Sequence, residues 1–497
     1  MKLGARMRSV SHVWAIIALG GCARVTVCER ERPQEFELNR SYISGEQATL
    51  SPSAIAAMPG GGALLAFRSK ASESKLADSE ILGVMLSSSG APLRTCGQPA
   101  EYAYAIPSPH DVANNTSPSL AAPEARGQYG LVAFTHYEAS IGSAQIWGQA
   151  LEDDACPVKM NDGSASVSIS DEPIGVPCED CPDCPQDMLP EMHCVGAPEV
   201  VRLNDRDFAV LWISQHRGTL LQQSNILRAR VVRPTYGEVQ FPATRRVRGG
   251  EPADLTAPGL SLIAIGATRI AENVFALAWQ ENSLLDGHVT RLQLYDVSLK
   301  ELASTPFEVD RTPYRIPTLS SVRVAHKGGR FLVVWSARDG ESASRIFARV
   351  VSTRDAALVR TPERPSTFAV GSPRCGTESL PAVVAVDSPY AAFMVAWKAS
   401  GCDEQGDSIQ ATFLDLDGRV VFNTQACEAA SFTLNQAARG DQTDVTLAVT
   451  TNRSIVTAWT DRGLNGNGGD PWDGSDPSGS AVRGTILTPH SILPEDP

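Results

Sequence analysis

Apolar residues in this chain come in short runs that stop at an aromatic and give way at once to small and charged residues. FLVVW (331–335) drops into SARDG, and ALLAF (63–67), LVAF (131–134), FAVLW (208–212), FALAW (275–279), FMVAW (393–397) and SIVTAW (454–459) end in the same way. Runs this short, rich in β-branched and aromatic residues and bounded by turn formers, predict strands rather than helices. The closing aromatics are Phe67, Phe134, Trp212, Trp279, Trp335, Trp397 and Trp459. They recur at intervals of roughly 56 to 78 residues, so one unit repeats seven times along most of the chain.

Each unit holds further strands. Ahead of the anchored run lies a shorter apolar segment: SPSAIAA at 51, SPSLAA at 117, APEVV at 197, LSLIAI at 260, LSSVRVA at 319, LPAVVAV at 380 and DVTLAV at 444. Behind it, across a polar loop, comes an alternating segment: ILGVML at 81, IWGQAL at 146, ILRARVV at 226, VTRLQL at 289, IFARVV at 346, IQATFL at 409 and VRGTIL at 482. Six of these carry a small residue at the centre (Gly83, Gly148, Ala229, Ala348, Ala411, Gly484), and the fourth is read with Arg291 at that place. A weaker fourth strand follows as YAYAIP at 102, VSIS at 167, QFPAT at 240, PFEVD at 306, TFAVG at 367 and SFTLN at 431. The seventh copy is missing at the C-terminal end, and EFELN at 35 supplies it from the other. The pattern predicts an all-β, seven-bladed β-propeller of four-stranded antiparallel blades, its ring closed by an N-terminal strand that removes the exposed sheet edges. The anchoring aromatics are expected to pack between neighbouring blades, where burial alone accounts for their recurrence.

The formal net charge of −13 repels phosphate backbones, so nucleic acid is not expected as a partner. At the N-terminus Lys2, Arg6 and Arg8 precede an apolar VWAIIAL (13–19) and then Leu19-Gly20-Gly21-Cys22. That run is too short to span a bilayer and has the design of an export signal, with Met7 as an alternative start. LGGC resembles the lipobox of bacterial lipoproteins, which implies lipidation of Cys22 and cleavage before it; the plainer alternative is an ordinary signal peptide with Cys22 unmodified or in a disulfide. Together LGGC and the seven V-x-W type units resemble the repeat β-propeller lipoproteins common in bacteria with large genomes. The resemblance spans about 35–490 and implies the fold while bringing no function. The sialidase box S-x-D-x-G-x-T-W and the WD40 signature G-H…W-D are both missing from the units.

The organisation expected is a signal peptide at 1–21, a lipid-anchored linker at 22–34, one propeller over 35–490 and a tail at 491–497. Within the propeller, 171–197 is a Cys-rich insertion and 463–480 a Gly/Asp-rich loop. The body is expected to be monomeric and held at the envelope through its lipid alone. The outer membrane is preferred because Ala23 is not the aspartate associated with inner-membrane retention in enteric bacteria. Export favours disulfides among the cysteines other than Cys22. The blade geometry suggests Cys375–Cys402, Cys96–Cys156 and Cys28–Cys427, with Cys178, Cys181, Cys184 and Cys194 stapling the insertion; the spacing of those four also admits zinc or an iron–sulfur cluster.

In such blades the hairpins joining strands two and three share a face with the blade-to-blade connections, around the mouth of the axial channel. His136, Glu138, His216, Arg217, Glu281, His288, Arg338, Asp339, Asp461 and Arg462 lie just beyond the anchors and form the candidate ligand site of that face. Histidines and carboxylates there suit metal binding or acid/base work, and the alternative is that they are ordinary solvated hairpin residues. Asp470, Asp473 and Asp476 are a weak candidate for structural Ca²⁺ without the full EF-hand pattern, and no other cofactor is expected. Asp415-Leu416-Asp417-Gly418 reads as a tight turn. No nucleophile elbow, H-E-x-x-H pair, phosphate loop or dinucleotide fingerprint occurs. The reading is a non-catalytic envelope protein binding a protein or glycan partner; the alternatives are a propeller hydrolase or lyase acting on polysaccharide, and a purely structural envelope component.

Overall fold

The computed structural model describes residues 35–37, 46–48, 54–70, 79–96, 103–106, 114–138, 143–159, 166–170, 197–216, 224–236, 238–242, 253–254, 261–283, 287–312, 321–338, 343–354, 357–360, 366–371, 376–403, 406–421, 431–435, 441–461 and 481–488. Among them there are strands and turns and no helix. Seven antiparallel blades stand in a ring, and their innermost strands neighbour one another in cyclic order from blade 1 to blade 7 and back to blade 1. Blade 6 gives the pattern from the axis outward: Glu378–Ala385, Phe393–Asp403, Gly406–Leu414 and Phe432–Thr433. Blade 7 consists of Gln442–Val449, Ile455–Asp461 and Ala481–Leu487, and its outer strand is Glu35–Glu37. Glu35, Phe36 and Glu37 pair with Thr485, Gly484 and Arg483, so the expected N-terminal strand closes the ring.

The anchoring aromatics do what their recurrence implied. Trp212 packs with Leu131 and Ile169 of the preceding blade, Trp279 with Leu211 and Leu227, Trp335 with Leu292 and Val309, Trp397 with Val334 and Ile346, and Trp459 with Ala396 and Ile409. Phe134 meets Ala66 and Ile81 of blade 1, and Phe67 meets Ala458 and Val482 of blade 7, so every interface of the ring has one. All seven are buried. At about 1.5–3 kcal/mol for each large apolar side chain, these are the main apolar contacts between blades. Arg230 and Arg349 add polar ties, donating to Ile169 O at 2.7 Å and to Val309 O in the blade before their own.

The small residue of the third strand has a steric cause. It faces the fourth strand directly: Gly83 opposite Tyr104, Gly148 opposite Val167, Ala348 opposite Phe368, Ala411 opposite Phe432 and Gly484 opposite Phe36. A Cβ on Gly83 would come within 2.5 Å of the Tyr104 ring. Blade 4 corrects the sequence reading by one residue. Arg291 is opposite the anchor Trp279, in the row of Arg228, Gln410 and Arg483, and the central place belongs to buried Leu292. There the outer strand, Phe307–Thr312, is bulged, with Glu308 and Asp310 pairing across buried Val309, so its register differs from that of the other blades.

Blade 3 supplies a second correction. QFPAT was expected to form its outer strand; instead Glu238–Gln240 folds back on Arg233–Thr235 as a ribbon beyond the blade, and Ala253–Asp254 pairs with Arg228 and Ala229. The third strand here runs on to Thr235 and turns tightly, which carries the following residues away from the slot opposite Ala229. Phe241 finds its contact under Arg230, whose Cζ lies 3.8 Å from the ring centroid. The turn at Asp415 is as expected: Asp415 N donates to Arg419 O, and Asp415 Oδ1 accepts from the backbone N–H groups of Asp417 and Arg419.

Gly83→Val is expected to cost about 1–3 kcal/mol through overpacking against Tyr104. In chemical denaturation, Tyr104→Ala should relieve most of that cost, making the double variant more stable than the two separate losses would give.

Candidate functional site

The site expected on the mouth face drew its residues from just beyond the anchors. Three of them, His136, Glu281 and Asp461, stand two places beyond their anchors, and the structure buries them and ties each into its own blade. His136 Nδ1 lies 2.9 Å from Asn115 Oδ1, and its ring meets Trp147 edge-on at 5.6 Å. Glu281 accepts from Arg291 Nε at 2.6 Å and from the indole N–H of Trp279 at 3.1 Å. Asp461 forms an ion pair with Arg483 at 2.8 Å and accepts from Gln442 Nε2 at 3.1 Å. A charge held where water is excluded is stable only with such partners, which is why acid and arginine occur together on adjacent strands.

The partners Asn115 and Gln442, together with Glu378, occupy one equivalent position at the start of an inner strand, facing His136, Asp461 and Ala399. A β-bulge follows each, with Ser117, Asp444 and Leu380 at positive φ. Bulges re-aim neighbouring side chains, and here they follow the residues that build the junction between blades. At that junction the third-strand isoleucine of one blade offers a backbone N–H to the connection leading to the next. Ser170 Oγ accepts it from Ile146 at 3.1 Å and Asn435 Oδ1 from Ile409 at 2.8 Å. Asn435 passes the chain on through Nδ2 to Gln442 Oε1 at 3.0 Å. Between blades 5 and 6 the equivalent residue is Gly371, and the carboxylate of Glu378 takes its place, accepting from Ile346 N at 3.3 Å. A Cβ on Gly371 would lie 1.8 Å from Glu378 Oε2, so the glycine is what admits the carboxylate.

A cavity of about 300 Å³ lies on the propeller axis, with lining residues from the innermost strand of all seven blades. Its wall has two unlike sides. Blades 6, 7, 1 and 2 contribute aliphatic side chains, among them Val384, Leu447, Val449, Ile55 and Leu120. Blades 3, 4 and 5 contribute the polar ones: Glu199, Thr268, Arg323 and His326. Arg323 crosses blade 4 to reach Glu199 at 3.1 Å, and its Nη1 also donates to Val322 O at 2.9 Å and to Ile265 O. Gly266 makes the crossing possible, because a Cβ there would lie 2.4 Å from Val322 O. Burial holds the His326 imidazole below its usual pKa, so it is neutral at neutral pH. Sequence reasoning missed Glu199 and Arg323; their signal is a charge set inside an otherwise apolar inner strand, in APEVV and SSVRVA.

The other expected site residues are placed one by one. Glu138 and His216 end the second strands Gly130–Glu138 and Phe208–His216, Arg338 ends Arg330–Arg338 and is exposed, and His288 is half-buried on the third strand of blade 4 with its pKa lowered by desolvation. Arg217, Asp339, Arg462, Asp470, Asp473 and Asp476 lie outside the described residues, as do Cys22, Cys28, Cys178, Cys181, Cys184, Cys194, Cys375 and Cys427. Cys96 and Cys156 form the expected disulfide, joining equivalent loops of blades 1 and 2. Cys402 is disulfide-bonded as well. Among the described residues no group of three or more His, Cys, Asp or Glu is placed to hold a metal ion, and no helix is long and apolar enough to cross a membrane.

No family model and no curated protein matches the chain. Solved structures resemble it in architecture. A leech intramolecular trans-sialidase is 8% identical over 93% of this chain and 71% of its own, with a TM-score of 0.43. A Penicillium chrysogenum α-L-arabinanase is 12% identical over 76% of this chain and 94% of its own (TM-score 0.39), and a lectin mutant from Aleuria aurantia is 12% identical over 76% and 97% (TM-score 0.34). At these identities and scores none carries an activity over to this chain.

Two outcomes test the junctions and the histidines. Glu378→Ala leaves the Ile346 N–H without its carboxylate and is expected to cost about 1–3 kcal/mol. Adding Gly371→Ser to it copies the arrangement of Ser170 and should recover most of that loss in denaturant melts. Because His288 and His326 have lowered pKa values when folded, the unfolded chain binds more protons as the pH falls through their usual value of 6.5. Stability from these groups is therefore present above 6.5 and declines below it, and His326→Gln should flatten the fall in Tm as the pH drops below about 6.5.

Proposed function

We propose that this propeller is a non-catalytic binding protein, held at the bacterial cell envelope by a lipid on Cys22 and presenting its mouth face to a protein or glycan partner. One observation carries the reading. His136, Glu281 and Asp461, buried titratable residues at the ends of their second strands, are each engaged in contacts within their own blade. General acid/base work needs a group poised to exchange its proton with a substrate, and side chains held this way serve packing instead. Loops carried on a rigid ring can recognise a partner without performing chemistry on it. The lipobox resemblance of LGGC and the acidic charge support an exported, tethered body that avoids nucleic acid.

The test has two arms. Wild-type protein immobilised through its C-terminus should retain an envelope protein or glycan from the producing cell, and should release no reducing ends or unsaturated products from a panel of polysaccharides. Product release that a single carboxylate substitution abolishes would replace this reading with that of a hydrolase or lyase, for which paired acids flanking the scissile bond are the usual machinery. For the anchor, Cys22→Ala should abolish lipid labelling and move the protein from the membrane to the soluble fraction.

A further inference from the structure

The axial cavity is lined by inner-strand residues and has a chemistry of its own. Its polar side offers one carboxylate, Glu199, and one guanidinium, Arg323, in contact at 3.1 Å and both largely buried. With His326 neutral, these charges cancel, so a singly charged occupant would enter without a counter-charge, at a high desolvation cost. The opposite side is aliphatic. The bonds described for Arg323 all leave from Nη1, and its buried Nε meets no partner among the described residues. A volume of about 300 Å³ is at the small end for ligand sites.

We propose that this cavity binds a free aliphatic α-amino acid as its zwitterion. The ligand carboxylate lies towards Arg323 and its ammonium towards Glu199, so that the two opposed ion pairs complement each other sign for sign in a site of reduced dielectric. The branched side chain then lies against Val384, Leu447, Val449 and Ile55, where apolar area is removed from water. A neutral alcohol would match the aliphatic wall and leave the paired charges poorly solvated; a fatty acid or an amine would match one charge and oppose the other. Recognition thus requires all three elements, and this site is independent of the partner proposed for the mouth face.

The experiment is calorimetric titration of the full chain with leucine, compared with isocaproate, isoamylamine, isoamyl alcohol and glycine. Saturable binding of leucine is expected, with each of the other four at least tenfold weaker. Arg323→Gln should weaken leucine at least tenfold by removing the cation. Ala385→Leu, which narrows the cavity without touching a charge, should do the same; its Tm, close to that of the wild type, would show that the fold is kept. The proposal is overturned if leucine gives no saturable binding to the wild type, if isoamyl alcohol binds as tightly as leucine, or if Ala385→Leu folds and binds leucine unchanged.

Discussion

Burial of one aromatic per blade against the blade before it is the constraint on which the whole ring depends. Trp335 stacks with Phe347 of its own blade and is covered by Leu292 and Val309 of blade 4, and Trp397 in turn by Val334 and Ile346 of blade 5. A single blade would leave such a face in water, so stability comes from neighbours and the series has to close on itself. Closure falls to a segment at the far end of the chain, Glu35–Glu37, whose pairing with Ala481–Leu487 completes blade 7 and covers its outer edge.

Water exclusion at those interfaces decides the fate of every polar group near them. The anchored strands emerge beside the junctions, and Glu281 and Asp461 there are held by partners within the ring. Blade 7 uses a relay from Ile409 N through Asn435, Gln442 and Asp461 to Arg483. Blade 6 reaches the same end with fewer parts, because Gly371 withdraws and Glu378 fills the gap. Different residues thus meet one demand, the capping of a third-strand N–H, and this freedom explains why the junctions vary in sequence while the apolar runs do not.

The fold was legible because its cause is local and repeats. Each strand carries its own period of two, and each anchor its own drop into polarity, so seven copies reinforce one another. Errors arose where the cause lay across strands. Arg291 and Leu292 are adjacent in sequence, and only the pairing of Trp279 with Arg291 tells which one faces the outer strand. QFPAT has the composition of an outer strand, yet the long hairpin ahead of it moves it out of place. The candidate site was the least legible part. His136, Glu281 and Asp461 look like loop chemistry in one dimension, and their partners Asn115 and Gln442 are set in place beside bulges whose only trace is the serine, proline or aspartate ahead of the inner strand.

Seven similar blades would by themselves make an axis alike on every side, so a ligand lacking sevenfold symmetry is recognised only where the repeat is broken. Blades 3, 4 and 5 are where it breaks. Blade 3 places Glu199, blade 4 Gly266 and blade 5 Arg323 at one register position, opposite the residue before the anchor, where blades 6, 7 and 2 have Ala382, Thr446 and Ser119. Gly266 links these departures physically: without a Cβ the inner strands of blades 4 and 5 approach closely, and Arg323 can pass over blade 4 to Glu199. A buried ion pair contributes little to stability compared with an apolar contact of the same volume, as the apolar wall across the axis illustrates. Its retention at a cavity lined by the inner strands of all seven blades is better explained by what it offers an occupant than by what it adds to the ring.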